Sequence, residues 1–213
     1  MKPLNTKTLF FISLTTAVLF AACHDEKRET NVNSHSKHMD IVKSTRYISV
    51  NTWIDDFKSF RTAVYQKDVQ KIKSYFNFPI PADTTHVWVA IYDKEDENKR
   101  PKEFPGTFNE RDLEKQYDKL FDSVFVKSLL KVKSEQLYKT GEYTTPEIND
   151  GGQSYHMLAN YNKATSTLQL SVLYAGGTDE NGEEVSEGEY AVIYFFKVEN
   201  NKTLKFDKIL FAG

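Results

Sequence analysis

On either side of Gly151-Gly152 the apolar side chains follow two different periods, and that change restricts the chain to a fold with separate helical and sheet parts. Before it, Trp53, Phe57, Phe60 and Val64 recur at i, i+4, i+7 and i+11, which is one stripe of a helix. After it, Tyr155, Met157, Ala159 and Tyr161 alternate with more polar neighbours, and Leu168, Leu170, Val172 and Tyr174 do the same. That is the two-residue period of half-buried strands. Residues 162–165 turn the chain between the two runs, so they predict a hairpin. Residues 191–196 are apolar without interruption, as in a central strand with both faces covered. Asn200-Asn201 supplies a tight turn into Leu204, Phe206 and Ile209. The chain therefore ends in an antiparallel meander. The fold class is α+β, with N-terminal helices packed on a curved antiparallel sheet of about four to five strands.

The first half fills in the helical layer. Asp68 caps a second helix carrying Val69, Ile72, Tyr75 and Phe76, which ends at Phe78-Pro79-Ile80-Pro81. Residues 86–92, β-branched and aromatic, predict a short strand. Residues 93–108 are highly charged and contain Pro101, Pro105 and Gly106, which predicts an exposed loop. Asn109 caps a third helix whose stripe runs through Leu113, Tyr117, Leu120, Phe121, Val124, Phe125 and Leu129 without a break. A fourth, residues 134–140, stops at Gly141.

This order of elements resembles the NTF2-like, or cystatin-like, α+β cone. It is also similar to uncharacterised lipoproteins of the Bacteroidetes, in which Phe57, Phe60, Ala63, Val64, Asp68, Ile72 and the stretch Tyr75-Phe76-Asn77-Phe78-Pro79 form the opening helical pair. The resemblance covers residues 50–213. It implies a concave sheet face that can make a pocket, and its motifs are packing motifs with no catalytic signature.

Residues 1–22 have the build of a secretory signal, with Lys2 and Lys7 before an apolar run over residues 9–20. That run is shorter than the roughly 20 residues a helix needs to cross a bilayer. Leu19-Phe20-Ala21-Ala22-Cys23 resembles the bacterial lipoprotein box, with Phe20 where leucine is usual. The resemblance implies a lipid on Cys23 and a place in the cell envelope, at the outer membrane. Cys23 is the only cysteine, so no intramolecular disulfide can form and stability must come from the core. Residues 23–46 are polar and read as a flexible tether to a single domain over residues 47–213. Asp25-Glu26 resembles the acidic export tag of surface lipoproteins in the Bacteroidetes, which leaves both the cell surface and the periplasmic face open. Loss of residues 1–22 leaves 26 basic and 30 acidic side chains, a formal charge of −4, which argues against nucleic acid and against a polybasic membrane patch. The partners expected are the membrane, through the lipid on Cys23, and an unknown protein or small ligand.

Candidate chemistry is sparse. Isomerases and dehydratases of NTF2-like build use a carboxylate of raised pKa inside the cone, with a tyrosine or histidine beside it. Tyr65, Tyr117, Tyr155, His156 and Tyr161 are the possible pocket residues, yet no Asp or Glu stands on an apolar strand face of the terminal meander. No catalytic residue is assigned. His86 and His156 fall on predicted strands without a nearby carboxylate cluster, and His24, His35 and His38 lie in the tether, so neither a metal nor a cofactor is expected. The acidic loop 176–189 lacks the alternating ligands of a calcium loop, and Asn181-Gly182 reads as a hairpin turn. Asp83-Thr84-Thr85 and Asp122-Ser123-Val124 resemble the O-glycosylation tripeptide of the same bacterial group. Aromatic residues make up 14% of the chain and twelve are tyrosines, which suits either a binding surface or half-buried sheet positions. Three functions fit: a non-catalytic, lipid-anchored binding domain, a small-molecule isomerase or hydrolase, and an immunity or inhibitor protein against an exported toxin.

Overall fold

The computed structural model describes residues 47–176 and 188–213. The signal segment, Cys23, the tether histidines, Asp25-Glu26 and the turn at Asn181-Gly182 lie outside the described residues. The calcium-loop comparison falls mostly outside them as well.

Helix α1 (Trp53–Gln66) buries the stripe its spacing predicts, with Trp53, Phe57, Phe60 and Val64 all at or below 2% exposure. The Thr52 N–H and hydroxyl both donate to Asp55 Oδ2 at 3.0 Å, which satisfies the entry to the helix. Helix α2 (Val69–Lys73) starts at the expected cap, the Asp68 carboxylate accepting the Lys71 N–H at 2.9 Å. It is shorter than its apolar spacing suggests. Tyr75 and Phe76 are instead held by tighter bonds from their N–H groups to the carbonyls of Ile72 and Lys73, and both rings remain buried.

Two expectations in the middle of the chain are overturned. Residues 86–92 hold helix α3 (Val87–Tyr92), not a strand. The β-branched run is overruled by packing: in a helix Val87, Trp88 and Ile91 share one face, which is buried against α4 and the last strand, and the His86 N–H donates to the Ile209 carbonyl at 2.8 Å. The long third helix is two helices, α4 (Glu110–Leu120) and α5 (Ser123–Lys131), parted at Phe121-Asp122. Asn109 caps α4 as expected, and Asp122 caps α5, its Oδ1 accepting the Phe125 N–H at 2.8 Å. The turn swings the apolar stripe so that Leu120, Phe121 and Phe125 are all buried. It also puts Ser123 in an exposed position at the start of α5, and Thr84 is exposed in a short turn after β1. Helix α6 (Ser134–Thr140) ends at Gly141, whose φ of 80° is the left-handed cap that the sequence implies.

The strands are β1 (Ile80–Pro81) paired with β2 (Thr107–Phe108), and a six-stranded sheet of β3 (Glu142–Thr144), β4 (Ile148–Asp150), β5 (Gln153–Asn162), β6 (Thr167–Tyr174), β7 (Tyr190–Glu199) and β8 (Thr203–Ala212). The sheet is open and every pairing is antiparallel, in the order β3-β5-β6-β7-β8 with β4 also beside β5. The predicted four-stranded meander is present. β3 and β4 extend it on one side and are too short to show a period. β7 lies between β6 and β8, yet only one of its faces is covered: Val192, Tyr194, Phe196 and Val198 are buried, while Ile193 and Phe195 on the other face are half-buried. The expectation of a strand sealed on both sides is therefore corrected. Among the described residues the helices pack against one sheet face only.

Phe60 sits at the centre of the layer between them, with Tyr75, Phe121 and Phe196 at 5.1, 6.0 and 4.9 Å in edge-on arrangements. The edge strand β8 is closed by the helical layer. Its Leu204, Phe206 and Ile209 N–H groups donate to the Asp56 carboxylate, the Tyr75 carbonyl and the Thr85 hydroxyl. Pairing with another strand is thereby blocked along most of that edge.

Candidate ligand-binding cleft

The five candidate pocket residues are dispersed. Tyr65 is 63% exposed on α1. Tyr117 is buried and donates its hydroxyl to the Val64 carbonyl at 2.9 Å, and burial pushes its pKa above the usual tyrosine range. Tyr155 is buried under the helical layer, with Tyr174 at 6.1 Å. His156 is on the opposite sheet face, across from Leu173. Tyr161 closes the far end of β5, its ring 4.3 Å from Trp53.

Carboxylates beside tyrosines do occur, and the structure accounts for their oxygens. Asp56 is buried and accepts from Tyr75 and from the Leu204 N–H. Asp122 caps α5 with one oxygen and pairs with Lys94 through the other. Beside Asp122, between the helices and the sheet, lies a hollow of about 20 Å³ that Tyr174 and Tyr194 also line. That is room for about one water. Burial raises the pKa of both tyrosines, and the Tyr194 hydroxyl donates to the Leu120 carbonyl at 2.8 Å. His86 is exposed at the start of α3, and among the described residues no group of three His, Cys, Asp or Glu side chains is placed to hold a metal. No described helix is long and apolar enough to cross a membrane.

Two larger hollows are open to solvent. One, about 290 Å³, is a trough on the uncovered sheet face between Asn160, Gln169, Phe195, Lys197 and Lys208. The roomier one, about 410 Å³, is bounded by Trp53, Tyr138, Lys139, Thr140, Gly141, Tyr161, Lys163 and Asn201. Four chain corners meet in it: the start of α1, the end of α6, the β5–β6 turn and the β7–β8 turn. Backbone bonds tie these corners together, the Trp53 N–H to the Asn201 carbonyl at 3.0 Å and the Tyr161 N–H to the Gly141 carbonyl at 2.6 Å. Asn200 and Asn201 both take positive φ, 50° and 55°, which fixes the β7–β8 turn in a tight form.

The aromatic residues of this cleft do different jobs. Trp53 is 2% exposed and forms the backing, held between Tyr161 and, at 5.9 Å, Tyr138. Tyr138 is 49% exposed and presents its ring to solvent. Lys139 and Lys163 flank the rings, and neither makes an ion pair among the described residues. Sequence spacing placed Trp53 on the apolar stripe of the first helix, where the structure has it, and had no means of linking it to Tyr138 and Asn201. Only the return of the β7–β8 turn to the start of α1 brings them together.

No known family model, curated protein or solved structure matches this chain, so its function is argued from the cleft and the N-terminal segment.

Proposed function

We propose that the chain is an exported lipoprotein, held at the outer membrane by a lipid on Cys23, whose domain is a non-catalytic binding module with the Trp53–Tyr138–Tyr161 cleft as its site. One observation carries the binding role: the roomier of the two open hollows is framed by rigid corners and lined with side chains suited to recognition, with no carboxylate, histidine or serine among them. The lipid anchor rests on the apolar segment and the Ala21-Ala22-Cys23 sequence. A helical layer against one face of an antiparallel meander supports reading the domain as an NTF2-like or cystatin-like cone.

The anchor and the site are tested separately. Labelled palmitate is expected to enter the wild-type chain in a bacterial host and to be lost from Cys23→Ala, with the protein moving from membrane to soluble fraction. A wild-type chain that takes up no label overturns the anchor. Protease added to intact cells then reports which membrane face it occupies. For the site, a thermal-shift screen of metabolites and saccharides on the full chain in detergent is followed by mapping the hits by amide chemical shifts. Hits are expected to perturb Trp53, Tyr161 and Asn201, and a set of hits that all map elsewhere removes the cleft as the site.

A further inference from the structure

We infer that the ligand of this cleft is an acidic saccharide, a sugar chain bearing carboxylate or sulfate groups. The inference rests on the reading of the cleft as the binding site and adds the chemistry of what enters it. The lining contains no aliphatic side chain. A pocket for an apolar or drug-like molecule is enclosed and lined mainly by hydrophobic groups, whereas this one is open and combines ring faces with amide, hydroxyl and ammonium groups. Its ligand is therefore hydrophilic overall and still offers a flat C–H face, which describes a pyranose ring laid on tyrosine.

The exposed ring of Tyr138 is the platform. Asn201 and Thr140, both exposed at the rim, supply an amide and a hydroxyl to sugar hydroxyls. Thr140 donates its own proton to the Gln136 or Glu142 carbonyl and accepts the Glu142 N–H at 3.2 Å, which leaves one lone pair of its oxygen as an acceptor for a sugar hydroxyl.

Charge sets the second half of the inference. Lys139 and Lys163 are the only ionisable side chains in the lining apart from the tyrosines, so the cleft is cationic in a chain whose formal net charge is −2. A cleft of one sign focuses its field and gathers ions of the opposite sign. Lysine is a point charge on a flexible stem, without the flat fork that arginine offers a single carboxylate or phosphate. Two lysines from separate chain corners suit charges spaced along a polymer, and the cleft is open, so a chain can pass through it.

The test is calorimetry on the full chain in detergent with tetrasaccharides of one length: a tetragalacturonate, a sulfated tetramer and a neutral tetramer, with benzoate as a simple aromatic acid. At least one acidic tetramer is expected to bind at least about tenfold more tightly than the neutral one, a difference near 1.4 kcal/mol. That preference is expected to fall as salt rises and to vanish in the Lys139→Gln/Lys163→Gln double variant. Lys197→Gln, in the trough on the other sheet face, is expected to leave it intact. Equal binding of neutral and acidic tetramers overturns the charge argument while leaving the cleft as a sugar site. Benzoate binding as tightly as the acidic tetramers overturns the saccharide class. Failure of every tetramer overturns the inference outright, and the amide-shift mapping described above decides independently whether the cleft is a site at all.

Discussion

The carboxylate of Asp56, only 3% exposed in the first turn of α1, accepts the Leu204 N–H of β8 at 2.8 Å across 148 positions of sequence. Its other oxygen accepts the Tyr75 hydroxyl at 3.1 Å, and burial is the main cause that raises the Tyr75 pKa. A buried carboxylate beside a tyrosine has the look of acid–base chemistry, but here both oxygens are engaged by structural donors, and the Leu204 N–H would otherwise be stranded. Leu204 belongs to an edge strand whose outward N–H has no strand partner. The pair therefore joins the first helix to the last strand.

Replacing Asp56 by alanine leaves the Leu204 N–H buried without its acceptor, whereas the Tyr75 hydroxyl keeps the main-chain carbonyl of residue 56 at 3.3 Å. One stranded group costs about 1–3 kcal/mol, so Asp56→Ala is expected to lower the unfolding free energy by about that much. Asp56→Asn keeps an acceptor for Leu204, and its amide can donate to Tyr75, so it is expected to lose about half as much. Urea unfolding followed by circular dichroism measures both. An Asp56→Ala midpoint equal to wild type contradicts the account.

Asp68 gives the acid side of stability a specific origin. Its carboxyl is held below the usual carboxylate range, first by the Tyr47 hydroxyl and then by the Lys71 N–H. Burial, followed by the hydrogen bond to Asp68, pushes the Tyr47 pKa the other way, above the usual tyrosine range. Because the folded value of Asp68 lies below the unfolded one, its contribution is complete above the unfolded value. It is lost as the pH falls through the folded one. Tyr47→Phe removes the largest cause, so stability is expected to fall less steeply than in wild type below about pH 5. Urea midpoints measured at stepped pH show this, and identical slopes for the two proteins refute it.

The break between α4 and α5 rests on one side chain. Asp122 in extended backbone accepts the Phe125 N–H, which lets α5 start in a new direction. Loss of such a cap costs about 0.5–2 kcal/mol, and Asp122→Ala is expected to fall in that range. Asp122 also pairs with Lys94 on the surface, and exposed pairs contribute little. Lys94→Ala is accordingly expected to shift the thermal midpoint less than Asp122→Ala does. The reverse order would make the ion pair, and not the cap, the important contact.

Local pattern was enough for α1, α6 and the meander, because each buries one face along a regular period and ends at a residue with its own turn preference, such as Gly141 or Asn200. It misled wherever tertiary packing outweighed it. Residues 87–92 carry strand-forming side chains and form a helix, since a helical face there meets α4 and β8. An unbroken apolar stripe from Leu113 to Leu129 concealed a turn, because Asp122 falls on the polar side of the stripe and looks like any solvated residue. Ile193 and Phe195 are apolar without being sealed, so composition overstated their burial. The cleft was the least legible feature: Trp53, Tyr138, Lys163 and Asn201 are far apart in sequence, and each alone has an ordinary explanation as core, helix surface or turn.

Trp53 and Tyr138 separate folding from recognition within that cleft. Trp53 is almost wholly buried and packs against Tyr161 at 4.3 Å, so Trp53→Ala is expected to cost about 3–5 kcal/mol. Tyr138, half exposed, lies tilted against Trp53 at 5.9 Å, and Tyr138→Ala is expected to change stability by less than about 1 kcal/mol. The order reverses for binding. Tyr138 supplies the face on which a sugar ring rests, so its removal is expected to weaken the acidic tetrasaccharide about tenfold at nearly unchanged stability. Tyr161→Phe keeps the ring that backs Trp53 and loses only a hydroxyl, so it is expected to leave stability near wild type and to report through affinity alone whether that hydroxyl meets the ligand. Unfolding curves and calorimetric titrations on the same three variants check the pattern. If Tyr138→Ala lost stability and affinity in proportion to Trp53→Ala, the exposed ring would be part of the packing and not a platform for a ligand.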